Sequence, residues 1–357
     1  MRLSLILFIR VILVMLLLPA NIGRALADPE EATPVVGYRS MAVASPVRGG
    51  EVMIGVWYPA AGDGGAAVLV GGSRVFMPTL ARTGRPRQGR HPLLVMAHGG
   101  LRAGGHAGDW LAAGLAGGGY VVALVEPVAF EPDGAGVLGE LEARPADMSA
   151  AISALLGSAE LSSVIDPGQI GAVGLLRGGT SVMALLGVQV SGERYATLCE
   201  RSPADRDCRW FAKAGISFAG QHVGSVVADR RDPRVVAAVA VAPELTSIMT
   251  SEGLAAGSRA LSVLLLGEGT IPAANANDLV SLVPLERLRS VDGATPFSLF
   301  PICADQAAEL LRADGDDDSL CREESGRSRM AIHRELTDMI VRALSESGVV
   351  PAMTDTR

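Results

Sequence analysis

Residues 169–186 read QIGAVGLLRGGTSVMALL, and this stretch decides the fold. Its first third is apolar and predicts a buried strand, and its last third predicts a helix. The turn between them is rich in glycine, which tolerates backbone conformations that other residues avoid. The glycines are Gly174, Gly178 and Gly179, and Leu176 stands among them, where a sharp turn would present one side chain.

Strand and helix continue to alternate on both sides of this turn. Most of the strand segments are continuous apolar runs, which are typical of strands buried on both faces of a parallel sheet. We therefore predict an α/β fold with a mostly parallel central sheet and helices on both faces. The predicted strands lie at 51–60, 91–100, 120–127, 170–174, 235–243 and 261–269, and the predicted helices at 110–120, 144–158, 180–188 and 329–347.

Two polar stretches, at about 188–234 and 302–328, interrupt this alternation, and each contains two of the four cysteines. An even number of cysteines in an exported chain predicts disulfide bonds. Three pairings are possible, and we favour the local ones, Cys199–Cys208 and Cys303–Cys321, because each would staple one polar loop. The first stretch is predicted to form a disulfide-stapled cap over the sheet.

The sequence predicts neither a metal site nor a cofactor. It contains no C-x-x-C pair and no histidines at ligand spacing, and it lacks the glycine patterns that bind dinucleotides or phosphates. Asp314, Asp316 and Asp318 alternate as in a calcium-binding loop. However, Ser319 and Ser325 occupy the positions where such a loop needs glycine and glutamate, so we predict a solvated acidic loop instead.

The first 27 residues have the composition of a secretion signal, with arginines before a short apolar core and an Ala-Leu-Ala site ahead of Asp28. We predict cleavage after Ala27, a mature domain of 28–357, and a periplasmic or secreted location. Arg10 interrupts the apolar run, which is left short for a spanning helix of roughly 20 residues. No later segment is apolar enough, so no stable membrane span is expected after cleavage.

Charge argues against nucleic acid as a partner. The net charge is −7, and the leader carries three arginines and no acidic residue, so its removal makes the chain more acidic still. An acidic surface repels the phosphate backbone on which nucleic-acid affinity depends. No pattern in the sequence predicts an oligomeric state.

Several segments resemble a known group of enzymes in their order and spacing. They are HPLLVMAHGG (91–100), LAGGGYVVALVEP (115–127), IDPGQIGAVG (165–174) and GATPFSLFPIC (293–303). Together they resemble the α/β-hydrolases, and among them the predicted dienelactone hydrolase and platelet-activating-factor acetylhydrolase-like group. The resemblance covers most of 28–357 and implies an α/β-hydrolase fold with carboxylic ester hydrolase activity from a Ser-Asp-His triad.

The resemblance also assigns the triad positions, and this chain departs from the pattern at each of them. The nucleophilic serine of the G-x-S-x-G turn falls on Leu176, which has no lone pair with which to attack a carbonyl. The acid falls near Thr270, with Glu268 two residues earlier. The histidine falls on Pro296, which cannot accept a proton.

Backbone N–H groups remain hydrogen-bond donors whichever side chain the residue carries. The resemblance implies that the oxyanion hole consists of the N–H groups of Gly100 and Arg177. Such donors alone give only a small part of the catalysis of a complete triad.

Two hypotheses about function follow. The first is an exported pseudoenzyme that has lost the triad and binds a small apolar or ester-like ligand, or a partner protein, in a cleft with an apolar floor. The second is an active serine ester hydrolase with displaced catalytic residues, in which Ser217 or Ser181 would act with His222 or His333. We favour the first, because function depends on the site more than on the fold.

Overall fold

The computed structural model describes residues 34–99, 104–128, 139–203, 206–215, 229–250, 260–267 and 283–352. Within these ranges a single sheet of ten strands forms the centre of the chain. The predicted leader lies outside the described residues. The strands are β1 (Val36–Ala44), β2 (Glu51–Pro59), β3 (Ala67–Val70), β4 (Thr79–Arg82), β5 (His91–Ala97), β6 (Val121–Val125), β7 (Ile165–Leu175), β8 (Val235–Val241), β9 (Leu261–Leu266) and β10 (Leu288–Val291).

The sheet is mostly parallel, as the sequence predicts. Its strand order is β10-β9-β8-β7-β5-β6-β2-β1-β4-β3. The six strands from β10 to β6 in this order pair in parallel, whereas β2 pairs antiparallel with both β6 and β1. Every residue of β5 and β6 is buried, which explains why these strands read as continuous apolar runs.

Helices cover both faces of the sheet. Helices α1 and α8 contribute to one apolar core, and α2 and α3 contribute to the core on the opposite face. No helix among the described residues is long and apolar enough to cross a bilayer. The helices are α1 (Asp109–Gly117), α2 (Glu140–Gly157), α3 (Arg177–Leu185), α4 (Gly192–Ala196), α5 (Leu198–Arg201), α6 (Arg206–Ala214), α7 (Ala307–Ala313) and α8 (Arg329–Glu346).

The structure differs from the prediction at one long helix. The sequence predicts a helix that starts at residue 144, with Asp147 near its start. Helix α2 instead begins at Glu140 and includes Pro145 in its interior. The additional turn carries Glu140 and Arg144, which form a buried salt bridge.

Both favoured disulfides are present. Cys199–Cys208 joins α5 to α6, and these helices pack with the 3-10 turn Thr246–Ile248 around a small apolar core of their own. These helices form the described part of the predicted cap. Cys303–Cys321 closes the acidic loop that contains α7.

Candidate functional site

The turn at Leu176 has the backbone of a nucleophile elbow. Strand β7 ends at Leu175, Leu176 has φ 56° and ψ −119°, and α3 begins at the next residue. The Leu176 N–H donates to the Val241 carbonyl at 2.9 Å, and its carbonyl accepts from the Gly179 N–H at 2.9 Å. This conformation is costly for a branched residue, roughly 1–3 kcal/mol, and persists only where the surroundings impose it.

The glycines of the turn are required by close approach of the backbone. A Cβ atom on Gly174 would lie 2.0 Å from the Gly178 carbonyl oxygen, and one on Gly178 would lie 2.0 Å from the Ala97 carbonyl oxygen. A Cβ on Gly179 would meet Pro243 Cα at 3.0 Å. The elbow therefore keeps its architecture, although a hydrocarbon side chain, 3% exposed, stands at its tip.

Two buried arginines lie beside the elbow. Arg144 donates to the Gly99 carbonyl at 3.1 Å and pairs with Glu140 at 3.1 Å, which ties α2 to the loop after β5. Arg177 Nε lies 3.6 Å from Glu244 Oε2. Burial lowers the pKa of Arg144, and the positive charge of Arg177 adds to the effect. Each of these two buried arginines is therefore held by a glutamate, Arg144 by Glu140 and Arg177 by Glu244.

The position assigned to the catalytic base is part of a rigid 3-10 turn, Pro296–Leu299. Thr295 and Ser298 cap this turn reciprocally, and the Ser298 hydroxyl also donates to Glu323 at 2.6 Å. Proline suits the first residue of such a turn, because its fixed φ is already helical. Pro296 therefore has a structural role that a histidine would not fill equally well.

Two histidines and a tryptophan hold the carbonyl groups of this segment. His98 Nε2 lies 3.0 Å from the Leu299 carbonyl oxygen, and the Trp110 indole N–H donates to the same oxygen at 2.9 Å. His333 Nε2 lies 2.9 Å from the Ser298 carbonyl oxygen, and its ring stacks on Trp110 at 3.5 Å. Since a carbonyl only accepts, Nε2 of each histidine carries the proton. Neither ring offers a free basic Nε2.

Burial lowers the pKa of His333 from 6.5 to about 4, below its unfolded value. Between these two values the unfolded chain binds more protons, so acid destabilises the fold in this window. At about 1.4 kcal/mol per pKa unit, the loss reaches up to about 3 kcal/mol. We expect the stability advantage of wild type over His333→Gln to shrink as the pH falls from 6.5 to 4 in urea titrations. Parallel pH profiles for the two proteins would contradict this assignment.

The remaining candidates from the sequence divide into two sets. Ser181, which the second hypothesis requires, donates its hydroxyl back to the Arg177 carbonyl at 3.1 Å, as helical serines commonly do. The other positions lie outside the described residues: Gly100, Ser217, His222, Glu268 and Thr270.

A cavity of about 290 Å³ opens beside the loop that follows β5. Its walls are mostly apolar and come from 70–79, from 104–107, from Phe300 and Pro301, and from the acidic loop. His106 lines this cavity, and its Nδ1 lies 2.9 Å from Asp109 Oδ2. No local pattern in the sequence indicates this pair.

Comparisons with known proteins support the fold. No family model matches the chain, and no curated protein matches it. Among solved structures it is similar to the ferulic acid esterase from Streptomyces cinnamoneus, with a TM-score of 0.54 and 16% identity over 90% of this chain and 92% of that chain. At this identity the likeness concerns the fold alone, and it confirms that the chain has the α/β-hydrolase fold.

Proposed function

We propose that this chain is an exported, catalytically inactive member of the dienelactone hydrolase and platelet-activating-factor acetylhydrolase-like group. In this proposal it has lost the Ser-Asp-His triad and binds a small apolar or ester-like ligand. The observation that carries the proposal is Leu176, which adopts the backbone of a nucleophile elbow and presents a hydrocarbon side chain there. Without its nucleophile the elbow cannot be acylated, and we assign the ligand to the described cavity, which Leu176 does not line.

The described cavity is suited to such a ligand. Its volume of about 290 Å³ is close to the lower end of ordinary ligand sites. Val75, Phe76 and Met77 contribute apolar surface, and His106 contributes a polar group. A short-chain ester has this combination of an apolar body and one acceptor.

The alternative, an active ester hydrolase with displaced residues, has less support from the described contacts. The Ser181 hydroxyl is bonded within its own helix, and His333 Nε2 is bonded to two carbonyl groups. Ser217 and His222 lie outside the described residues.

A fluorophosphonate probe distinguishes the two, because it labels only activated serines. We expect no specific labelling of the mature chain and no hydrolysis of p-nitrophenyl acetate above background. We also expect equilibrium dialysis to detect binding of the amide that corresponds to this ester. Specific labelling would overturn the proposal in favour of the active enzyme. Absence of both labelling and binding would remove the ligand part of the proposal.

Restoring the nucleophile alone is expected to fail. In Leu176→Ser the position assigned to the base is still Pro296, which cannot accept a proton, and hydroxyl nucleophiles need an adjacent base. We expect ester hydrolysis within about tenfold of wild type, since the remaining oxyanion donors contribute little alone. Ser181→Ala serves as the matched control. A burst of p-nitrophenolate from Leu176→Ser would show that a base is already in place.

Export is the second part of the proposal. Two disulfides, which form in oxidising compartments, support it. Sequencing the N-terminus of the exported chain is expected to give Asp28 as the first residue. A chain recovered with its leader intact would contradict the predicted cleavage after Ala27.

A further inference from the structure

Three side chains that can ligate a metal lie together at the carboxyl ends of β5 and β6. His106, Asp109 and Glu126 each offer one ligand atom, and these atoms lie within 4.8 Å of one another. His106 Nδ1 is 2.9 Å from Asp109 Oδ2 and 3.7 Å from Glu126 Oε1. Small side-chain rotations would bring all three atoms to the roughly 2.0–2.2 Å from one ion that zinc ligands require.

Each of the two carboxylates in this cluster has one buried oxygen without a hydrogen-bond partner among the described residues. Asp109 is 1% exposed, and its Oδ1 has no hydrogen-bond partner among the described residues. Glu126 Oε1, which faces His106 Nδ1, is likewise buried and without a hydrogen bond there. Buried carboxylate oxygens normally have such partners, because desolvation is costly without them.

Among the described residues, the potentially cationic partner of both carboxylates is His106, and its hydrogen bond to Asp109 raises the pKa of the imidazole. Within the part of the chain that the structure describes, no arginine or lysine forms a salt bridge with Asp109 or Glu126. The indole of Trp57 helps to stabilise the Asp109 carboxylate, although its N–H does not reach hydrogen-bond geometry. Burial raises the pKa of both carboxyl groups, and their contacts with His106 offset this effect only in part.

The backbone at His106 is strained in a way that places its ring in the cluster. His106 has φ 67°, a region that favours glycine. Glu126 Oε2 accepts from the His106 N–H at 2.8 Å and so holds this conformation. The imidazole remains 42% exposed on the wall of the cavity, which provides a path for an ion to enter.

We propose that His106, Asp109 and Glu126 bind one divalent transition-metal cation, represented by Zn²⁺, beside the cavity. An imidazole with two carboxylates suits zinc, whereas calcium prefers sites built of oxygen ligands alone. Three protein ligands leave one position of tetrahedral zinc for water or for a ligand in the cavity. When the ion binds Nδ1, the proton on this atom is released to solvent.

This site is separate from the elbow. Val125 of β6 pairs with Ala97 of β5, which pairs with Gly174 of β7. Neighbouring strands are about 4.8 Å apart, so the backbone before Glu126 lies about 10 Å from the end of β7. Zinc binding therefore does not depend on the loss of the triad, and either proposal can fail alone.

Equilibrium dialysis of the untagged chain against ZnCl₂, followed by metal analysis, tests the site. We expect one zinc per chain in wild type and a loss of affinity of more than about 100-fold in His106→Gly, since even outer-shell changes cost 10–100-fold. Glycine adopts this positive φ without strain, so this variant removes the nitrogen ligand without destabilising the backbone. Asp109→Asn and Glu126→Gln are expected to lose zinc too, while each keeps an oxygen that accepts the bond from His106.

The matched control is Glu346→Gln, which removes a half-exposed carboxylate on α8 that pairs with Arg289. Its zinc affinity is expected to equal that of wild type. Circular dichroism without metal checks that each variant is folded. Failure of wild type to bind one zinc, binding that survives His106→Gly, or tighter binding of CaCl₂ than of ZnCl₂ would each overturn the proposal.

Discussion

Gly178→Ala is expected to lower the free energy of unfolding by at least about 3 kcal/mol, or to prevent folding altogether. The new Cβ would lie 2.0 Å from the Ala97 carbonyl oxygen at the end of β5. The backbone fixes the position of the Cβ, and the carbonyl belongs to the backbone, so no side-chain rotation relieves the clash and α3 must move away from the sheet. Urea denaturation followed by circular dichroism measures the loss.

Helix propensity alone predicts the opposite sign, since alanine is favoured over glycine in a helix by about 1 kcal/mol. Gly157→Ala provides the matched control, because Gly157 ends α2 and a Cβ there would meet nothing within 4 Å. It is expected to leave stability unchanged or to raise it slightly. Equal effects of the two substitutions would show that the turn at Leu176 does not have the close packing described above.

Glu140→Gln is expected to destabilise the fold by roughly 3–5 kcal/mol, as for removal of one partner from a buried ion pair. Glu140 is 2% exposed and bonds to both Arg48 and Arg144, and Arg48 also pairs with Asp147 at 2.6 Å. The substitution leaves two arginine charges against one carboxylate. It also frees Arg144, which holds the Gly99 carbonyl, so the loop beside the elbow loosens with the helix.

A surface pair distinguishes this effect from a general loss of charge. Glu160 pairs with Arg39, and its side chain is about half exposed. Glu160→Gln is expected to cost less than about 1 kcal/mol. Thermal and urea unfolding of the two variants should therefore differ clearly, and a loss below 1 kcal/mol for Glu140→Gln would contradict the buried network.

The elbow could be predicted from sequence because its determinants are local. Strand, glycines and helix lie within residues 169–186, and the sheet follows from apolar runs that are each buried as a unit. The short strands β3 and β4 were not predictable in the same way. Their four-residue segments are half exposed at the sheet edge and show no apolar period.

The His106 cluster had no local signal. Asp109 follows His106 by three residues, but Glu126 follows strand β6 and reaches the cluster through the parallel pairing of β5 and β6. Likewise, nothing in the sequence indicates that His98 and His333 hold the segment of Pro296, because those contacts span 201 and 35 residues. Sequence patterns indicate on which helix or strand a residue lies. Sites formed by distant residues depend instead on which helices and strands pack together.

The Cys303–Cys321 bond lies directly behind the cavity wall. Phe300 and Pro301 stand just before one cysteine, and Leu320 just before the other, and all three line the cavity. The ten strands contain no cysteine, so a chain that matures in a reducing compartment would keep its sheet but lose this disulfide together with Cys199–Cys208. The affinity of the cavity for its ligand would then depend on whether this disulfide had formed, whereas the secondary structure would not.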